Sequence, residues 1–208
     1  MVLIGLVLQL WVTATTTGGF YPSNPQRVLN VFAFFTVQSN VLVCLTSLWL
    51  AVRPDTTGTL LRTLRLDALL GITVTGVVFH LALRQLQDLR GEAAVADFLL
   101  HTASPVLCVL GWLLLGPRGA VDGRVIAWAL LFPVAWSAGT LLRGSALGFW
   151  PYPFLNADDL GWARALTNCA LVAVLFTGLA LVAARADRVL PGHRATASPS
   201  GTDERSGG

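Results

Sequence analysis

Apolar side chains fill six long stretches of this chain, and short polar segments separate them. Each stretch comes close to the ~20 apolar residues that an α-helix needs to cross ~30 Å of hydrocarbon. The pattern predicts an all-α, polytopic membrane bundle of six transmembrane helices within residues 1–185. The predicted spans cover residues 1–17, 29–52, 66–86, 96–116, 125–142 and 163–184.

The two ends of the chain differ in character. Residues 1–11 could also form the apolar core of a signal peptide, but they lack a basic n-region and a clean small-residue cleavage site. We therefore expect the first span to be retained. Residues 186–208 combine small, polar and charged residues with few large apolar ones. This composition predicts a disordered cytoplasmic tail.

Composition supports a membrane protein. The chain is 54% hydrophobic and 12% charged, whereas about 25% of the residues in a soluble domain are charged. Cys44, Cys108 and Cys169 all lie inside predicted spans, which argues against a disulfide framework. No cysteine motif typical of a metal site is present, and we expect neither a metal nor a cofactor.

All 14 basic residues are arginines, and the absence of lysine excludes a retinal-type Schiff base. The arginines cluster at span ends, where an excess marks the cytoplasmic side. The net charge of +3 therefore reflects topology rather than a nucleic-acid partner. The distribution predicts a cell-membrane protein with both termini in the cytoplasm. Nine arginines lie on the predicted inner side (53, 62, 65, 118, 124, 185, 188, 194 and 205) and five on the outer side (27, 84, 90, 143 and 164).

A polar run within residues 34–40 interrupts the second predicted span. Lipid offers hydrogen-bond partners to none of these side chains, so other helices must supply them. At ~1.5 Å per residue, Thr36, His101, His80 and Asn168 each lie ~8–10 Å below the outer end of their span. The inner halves of the spans are nearly bare of polar residues. Several spans thus place a polar group in one layer of the outer leaflet.

Helical spacing indicates which of these side chains share a face. Thr36 and Asn40 are four residues apart, with Ser39 beside them, so all three face the same neighbours. Asp97 precedes His101 by one turn and is placed to orient its imidazole. Gln38 points away from Thr36, and we expect it to serve helix packing.

Three segments together resemble the androgen-induced-protein family of membrane proteins, most closely its bacterial branch. These segments are Phe35 to Asn40, His101-Thr102-x-x-Pro105, and Trp150 to Asn156. The resemblance covers about residues 1–185. Bacterial members are often described only as integral membrane proteins or regulators. Animal members are described as multi-span threonine hydrolases that act on fatty acid esters of hydroxy fatty acids.

The resemblance implies that Thr36 is a nucleophile and His101 its base. The predicted depths of the two residues agree with that pairing. The implied substrate is a membrane lipid or fatty acid ester that enters from the outer leaflet. The residues that could assist, as hydrogen-bond donors to an oxyanion or as supports, are Ser39, Asn40, His80, Asp97 and Asn168.

Two other functions stay open on the sequence. A non-catalytic regulator, sensor or small-ligand-binding bundle could use the same polar layer to hold a ligand or to lock its helices. Transport predicts further polar residues in the inner half, and the sequence has few. A haem-binding bundle could use His80 and His101 as axial ligands, although nothing else in the sequence indicates redox chemistry.

Overall fold

The computed structural model describes residues 1–54, 58–86 and 88–191, and every regular element within them is helical. Two π-helical turns, Phe79–Leu83 and Leu99–Ala103, and two short 3₁₀ turns, Arg84–Leu86 and Pro153–Leu155, interrupt or join the α-helices. The α-helices are α1 (Val2–Thr15), α2 (Asn24–Val31), α3 (Phe35–Val52), α4 (Thr59–Val78), α5 (Gly91–Phe98), α6 (Ser104–Leu115), α7 (Gly123–Ala129), α8 (Leu131–Leu147), α9 (Ala157–Leu160) and α10 (Trp162–Val189).

Five helical units in the described residues are long and apolar enough to cross a membrane. The all-helical fold is as predicted, and these apolar helices are consistent with an integral membrane protein. Helix α1 has 14 residues, a length of ~21 Å, and is shorter than the other five. The five long units are Phe35–Val52, Thr59–Leu86, Gly91–Leu115, Gly123–Leu147 and Trp162–Val189.

Helix α4 lies at the centre of the bundle and packs against α3, α6, α7 and α10. Two of its glycines permit close approach. A Cβ atom on Gly71 would lie 2.7 Å from the Ser39 hydroxyl on α3, and one on Gly76 would lie 3.0 Å from the Pro105 ring on α6. Small residues let neighbouring membrane helices come this near. Helix α3, which carries Thr36, and helix α6, which directly follows the π turn Leu99–Ala103, are thus held tightly against α4.

Several predicted boundaries need correction. The second span, predicted as one helix over residues 29–52, is two helices separated by a turn at residues 32–34. The third begins at Thr59 rather than at residue 66. The fourth span begins at Gly91 rather than at residue 96, and the fifth ends at Leu147 rather than at residue 142. The last continues to Val189, past the predicted start of the tail at residue 186. Residues 192–208 of that predicted tail lie outside the described residues.

The half of the bundle away from Thr36 contains more buried polar residues than predicted. Because α4 begins early, Asp67 lies well inside it, only 5% exposed. One of its carboxylate oxygens has no hydrogen-bond partner among the described residues. Asp187 near the end of α10 is also buried, and it accepts the backbone N–H of Val121 at 2.9 Å. Two buried acids therefore occupy this half.

Candidate functional site

The break between α2 and α3 is stabilised by side chains that satisfy its exposed carbonyls. Gln38 donates from Nε2 to the Phe32 carbonyl at 2.9 Å, and Trp136 donates from Nε1 to the Ala33 carbonyl at 3.0 Å. Backbone groups inside a membrane need such partners. The predicted packing role of Gln38 is therefore the capping of this turn. The break makes Thr36 the second residue of α3, at its amino-terminal end.

His101 lies in the π-helical turn Leu99–Ala103. Pro105, four residues later, has no N–H to donate to the His101 carbonyl, and its ring crowds that carbonyl. A wider π turn relieves this conflict, and such turns are frequent at functional sites. The Phe79 ring stacks on the imidazole with centroids 4.2 Å apart. The ring of His101 is therefore fixed in orientation and half-buried.

Thr36, His101 and Asp97 form a hydrogen-bonded chain. Thr36 Oγ1 lies 3.2 Å from His101 Nε2. On the other side of the ring, His101 Nδ1 lies 3.0 Å from Asp97 Oδ1 and 3.1 Å from the Asp97 backbone carbonyl. The backbone carbonyl of Asp97 and its ionised carboxylate can accept a hydrogen bond but cannot donate one, so Nδ1 of His101 carries the proton. Nε2 is then free to accept the hydroxyl hydrogen of Thr36.

Tyr152 is a fourth member of this site, and the residue pattern alone did not predict it. Its Oη lies 3.3 Å from Thr36 Oγ1 and accepts the backbone N–H groups of Phe35 and Thr36. Burial raises the pKa of Tyr152, so the hydroxyl stays protonated at neutral pH. Because the hydrogen of Thr36 points to His101, Tyr152 donates to Thr36 Oγ1.

Ser39 and Asn40 share the helical face of Thr36 as predicted, but their polar groups do not reach its hydroxyl. Asn40 donates both N–H groups to carbonyls, to Thr36 O at 2.9 Å and to Leu100 O at 3.2 Å. Ser39 is fully buried against Gly71. Asn40 therefore joins α3 to the segment that carries His101, and Ser39 packs α3 against α4 with a hydroxyl that has no hydrogen-bond partner among the described residues.

The contact between Ser39 and Gly71 predicts a specific stability effect. Gly71→Ala is expected to lower the melting temperature of the purified protein, because the added methyl group would lie 2.7 Å from the Ser39 hydroxyl. Ser39→Ala removes that oxygen, so the double variant is expected to recover most of the loss. Thermal unfolding in detergent measures both effects. Gly139→Ala, which adds a methyl group in open space, is the control.

His80 and Asn168 lie outside the hydrogen-bonded chain. His80 is exposed and its Nε2 lies 3.2 Å from Thr102 Oγ1, which links the two π turns. Asn168 on α10 donates to the Phe154 carbonyl at 2.7 Å. It thereby fixes the segment that carries Tyr152 rather than acting on Thr36. The predicted depths put these two residues level with Thr36, but in the structure neither hydrogen-bonds to its hydroxyl.

An apolar cavity of ≈ 40 Å³ adjoins Thr36 between α3, α4, α8 and α10. Tyr152 and Phe154 form part of its wall, and Trp136 and Cys169 lie across from them. The volume is close to the ~30 Å³ that one water molecule occupies in the liquid. The cavity therefore has room for little more than one water molecule.

The imidazole of His101 is poorly placed for haem iron, because both of its ring nitrogens are already hydrogen-bonded. An axial ligand must offer a free nitrogen lone pair. Within the described ranges no three His, Cys, Asp or Glu side chains form a group that could hold a metal ion.

No known protein family, curated protein or solved structure matches this chain. The functional assignment of Thr36, His101, Asp97 and Tyr152 therefore depends on their geometry and on the residue pattern of the sequence.

Proposed function

We propose that this chain is an intramembrane lipid-ester hydrolase in which Thr36 is the nucleophile and His101 the general base. The observation that supports it is the distance of 3.2 Å between Thr36 Oγ1 and His101 Nε2, with Asp97 on the opposite ring nitrogen. A nucleophile within reach of a base, which a third group orients, is typical of covalent catalysis. Asp97 then acts as the positioning residue.

The proposed reaction has two halves. As Thr36 Oγ1 attacks the ester carbonyl, its proton moves to His101 Nε2. The tetrahedral intermediate then collapses, the ester C–O bond breaks, and His101 returns the proton to the leaving alcohol. Water attacks the acyl-threonine, giving its proton to His101, and collapse releases the carboxylic acid and restores Thr36. Asp97 stabilises the positive charge that His101 carries in each half.

Tyr152, held by the start of α3, supplies the proposed oxyanion donor. The carbonyl oxygen becomes negative beside Thr36 Oγ1, where the hydroxyl of Tyr152 lies 3.3 Å away. The N–H groups of Phe35 and Thr36 donate to this same hydroxyl, which makes it a stronger donor, and the amino-terminal end of a helix favours negative charge. Fixed donors of this kind are usually the largest single contribution to acyl-transfer catalysis.

A lipid ester fits the setting of the site. The cavity next to Thr36 is lined mainly by apolar side chains within membrane-length helices. Such a site receives substrate laterally from the bilayer, as a fatty acid ester would enter. The resemblance to the androgen-induced-protein family suggests the same class of substrate.

We further propose six spans with both termini in the cytoplasm of a bacterial cell. Helix α1, the first in the chain, then adds one span to the five long helical units. It packs against α3 and α5, and it exposes the large apolar side chains of Leu3, Ile4 and Val7. An even number of spans puts the two termini on one side. The excess of arginines there supports the cytoplasmic side.

A fluorophosphonate probe tests the nucleophile. We expect the wild-type protein to be labelled on Thr36, Thr36→Ala to lose the label and His101→Ala to react far more slowly. Thr73→Ala is the matched control, because among the described residues the Thr73 hydroxyl donates only to the Leu69 carbonyl of its own helix. Labelling is read by fluorescence in a gel and located by peptide mass spectrometry. Equal labelling of all four proteins would refute the proposal.

One observation favours the alternative of a ligand-binding bundle. Asp67 is a buried acid inside a membrane-length helix, and ionisable residues there are commonly functional. It also lines a groove of ≈ 340 Å³ beside Gln38 and Phe132. Asp67→Asn is expected to leave probe labelling unchanged in a hydrolase. If Asp67→Asn alters a transport or binding activity while Thr36→Ala changes only the melting temperature, the alternative is correct.

A further inference from the structure

A second, larger groove lies on the outer surface of the bundle and shares only Trp136 with the lining of the cavity at Thr36. It has a volume of ≈ 460 Å³ and follows α8 from Phe132 to Arg143. Ala135 and Gly139 form its floor, and both are exposed. A Cβ atom on Gly139 would meet nothing within 4 Å, so the floor is open along its middle. The groove thus faces the surroundings of the protein rather than its interior.

The dimensions of the groove match one acyl chain of a bilayer lipid. Phe132 and Arg143 are 11 residues apart on α8, which corresponds to ~17 Å along the helix axis. One leaflet contributes about half of the ~30 Å of hydrocarbon in a bilayer. Apolar walls on a membrane-length helix leave lipid as the material that fills the groove.

Arg143 stands at one end of the groove and has only neutral partners among the described residues. Its Nη2 donates to Tyr21 Oη at 2.8 Å and to Asn30 Oδ1 at 2.6 Å. The rings of Tyr21 and Phe149 lie beside the guanidinium at 5.8 and 4.8 Å. All the ion pairs among the described residues involve residues other than Arg143. A guanidinium at this position therefore lacks an anion, and its Nη1 and Nε remain for a ligand.

We propose that this groove binds one anionic phospholipid, with its phosphate on Arg143 and one acyl chain along Ala135 and Gly139. A phosphate supplies the missing negative charge, and arginine binds phosphate oxygens through paired N–H groups. The aromatic residues around Arg143 are of the type found at headgroup depth. Phospholipid is also the anionic amphiphile that every bilayer supplies in excess. This inference is independent of the proposed hydrolase chemistry.

Native mass spectrometry of the full chain in detergent tests the headgroup contact. The protein is mixed with equal amounts of phosphatidylglycerol and phosphatidylcholine, and the bound lipids are counted. We expect the wild type to prefer phosphatidylglycerol, and Arg143→Gln to lose about fivefold of that preference, as one basic residue near an anionic surface contributes. Arg124→Gln, an exposed arginine at the other end of the same helical unit, is expected to retain it.

A second variant tests the groove itself without touching Arg143. Gly139→Leu adds a side chain to open space, so the protein is expected to fold but to bind less phosphatidylglycerol. Unchanged binding in this variant would overturn the proposal, and so would an unchanged preference in Arg143→Gln. A competition arm with oleate identifies the source of the anion. If oleate displaces phosphatidylglycerol at equal concentration, the occupant is a free fatty acid and the assignment to phospholipid is wrong.

Discussion

Replacing His101 with alanine is expected to lower the rate of acyl-ester hydrolysis ~10²–10⁴-fold. A threonine hydroxyl is a weak nucleophile at neutral pH, and the only base within hydrogen-bond distance of Thr36 Oγ1 in the described structure is His101 Nε2, at 3.2 Å. Without that imidazole, no group takes the proton as the ester is attacked. The measurement is the release of alcohol from a long-chain acyl ester by protein reconstituted in vesicles.

Asp97→Asn provides the comparison for that experiment, and we expect a smaller loss. The Asp97 backbone carbonyl also lies 3.1 Å from His101 Nδ1, so it keeps the proton on Nδ1 when the carboxylate is gone. Only the stabilisation of the charged imidazolium is removed. A loss in Asp97→Asn as large as in His101→Ala would show that the carbonyl does not hold the ring. Full activity in His101→Ala would refute its role as base.

Much of the fold follows from hydropathy alone. Long apolar helices and closed barrels are the only regular structures that satisfy all their backbone hydrogen bonds inside a membrane. Helical arithmetic also predicted that Thr36 and His101 lie level, and the spacing of four residues predicted that Asp97 faces His101. These inferences depend on distances along single helices. Such distances are fixed by the rise per residue and need no knowledge of packing.

The break before Phe35 could not be predicted in the same way. Residues 29–52 are apolar enough to form one helix, and of the two side chains that cap the turn only Gln38 is near in sequence. Trp136 lies 103 residues after the Ala33 carbonyl that it caps, and Tyr152 lies 116 residues after Thr36. A sequence pattern shows that Tyr152 belongs to an aromatic loop, but it does not show where the hydroxyl points.

A position on the same helical face as Thr36 did not predict contact with its hydroxyl. Asn40 lies one turn after Thr36, yet its amide donates to the Thr36 carbonyl of its own helix rather than to the hydroxyl. Back-bonding of this kind is a common use of polar side chains inside helices. By contrast, the sequence does contain a feature that predicts an irregular turn at His101. A proline four residues after a helical residue removes the hydrogen bond to that residue's carbonyl.

The break and the candidate nucleophile are physically connected. In a continuous helix, the N–H of Thr36 would be bonded to a carbonyl one turn earlier and unavailable to Tyr152. The turn at residues 32–34 releases the N–H groups of Phe35 and Thr36, and Tyr152 Oη accepts them in the structure. Tyr152 Oη thereby contacts both these amide donors and the Thr36 hydroxyl. This arrangement makes Tyr152 the second residue whose replacement should have a large effect.

Tyr152→Phe is expected to lower the hydrolysis rate ~10²–10³-fold, as the loss of one oxyanion donor does. It is also expected to destabilise the protein by about 1–3 kcal/mol, because the N–H of Thr36 loses its buried partner. Tyr21→Phe is the matched control, since the Tyr21 hydroxyl accepts only from Arg143 among the described residues and lies on another loop. Activity in Tyr152→Phe equal to that of the control would contradict the role proposed for this hydroxyl.

The pH dependence of stability gives an independent reading of Tyr152. Burial raises the pKa of Tyr152 in the folded protein, whereas an unfolded tyrosine ionises near pH ~10. Below pH ~10 both states hold the proton, so the wild-type stability is unaffected by this group. Above it, the unfolded state loses the proton first, and the free energy of unfolding falls as pH rises. Urea unfolding between pH 8 and 11 should show this fall in the wild type and in Tyr21→Phe, and a weaker one in Tyr152→Phe.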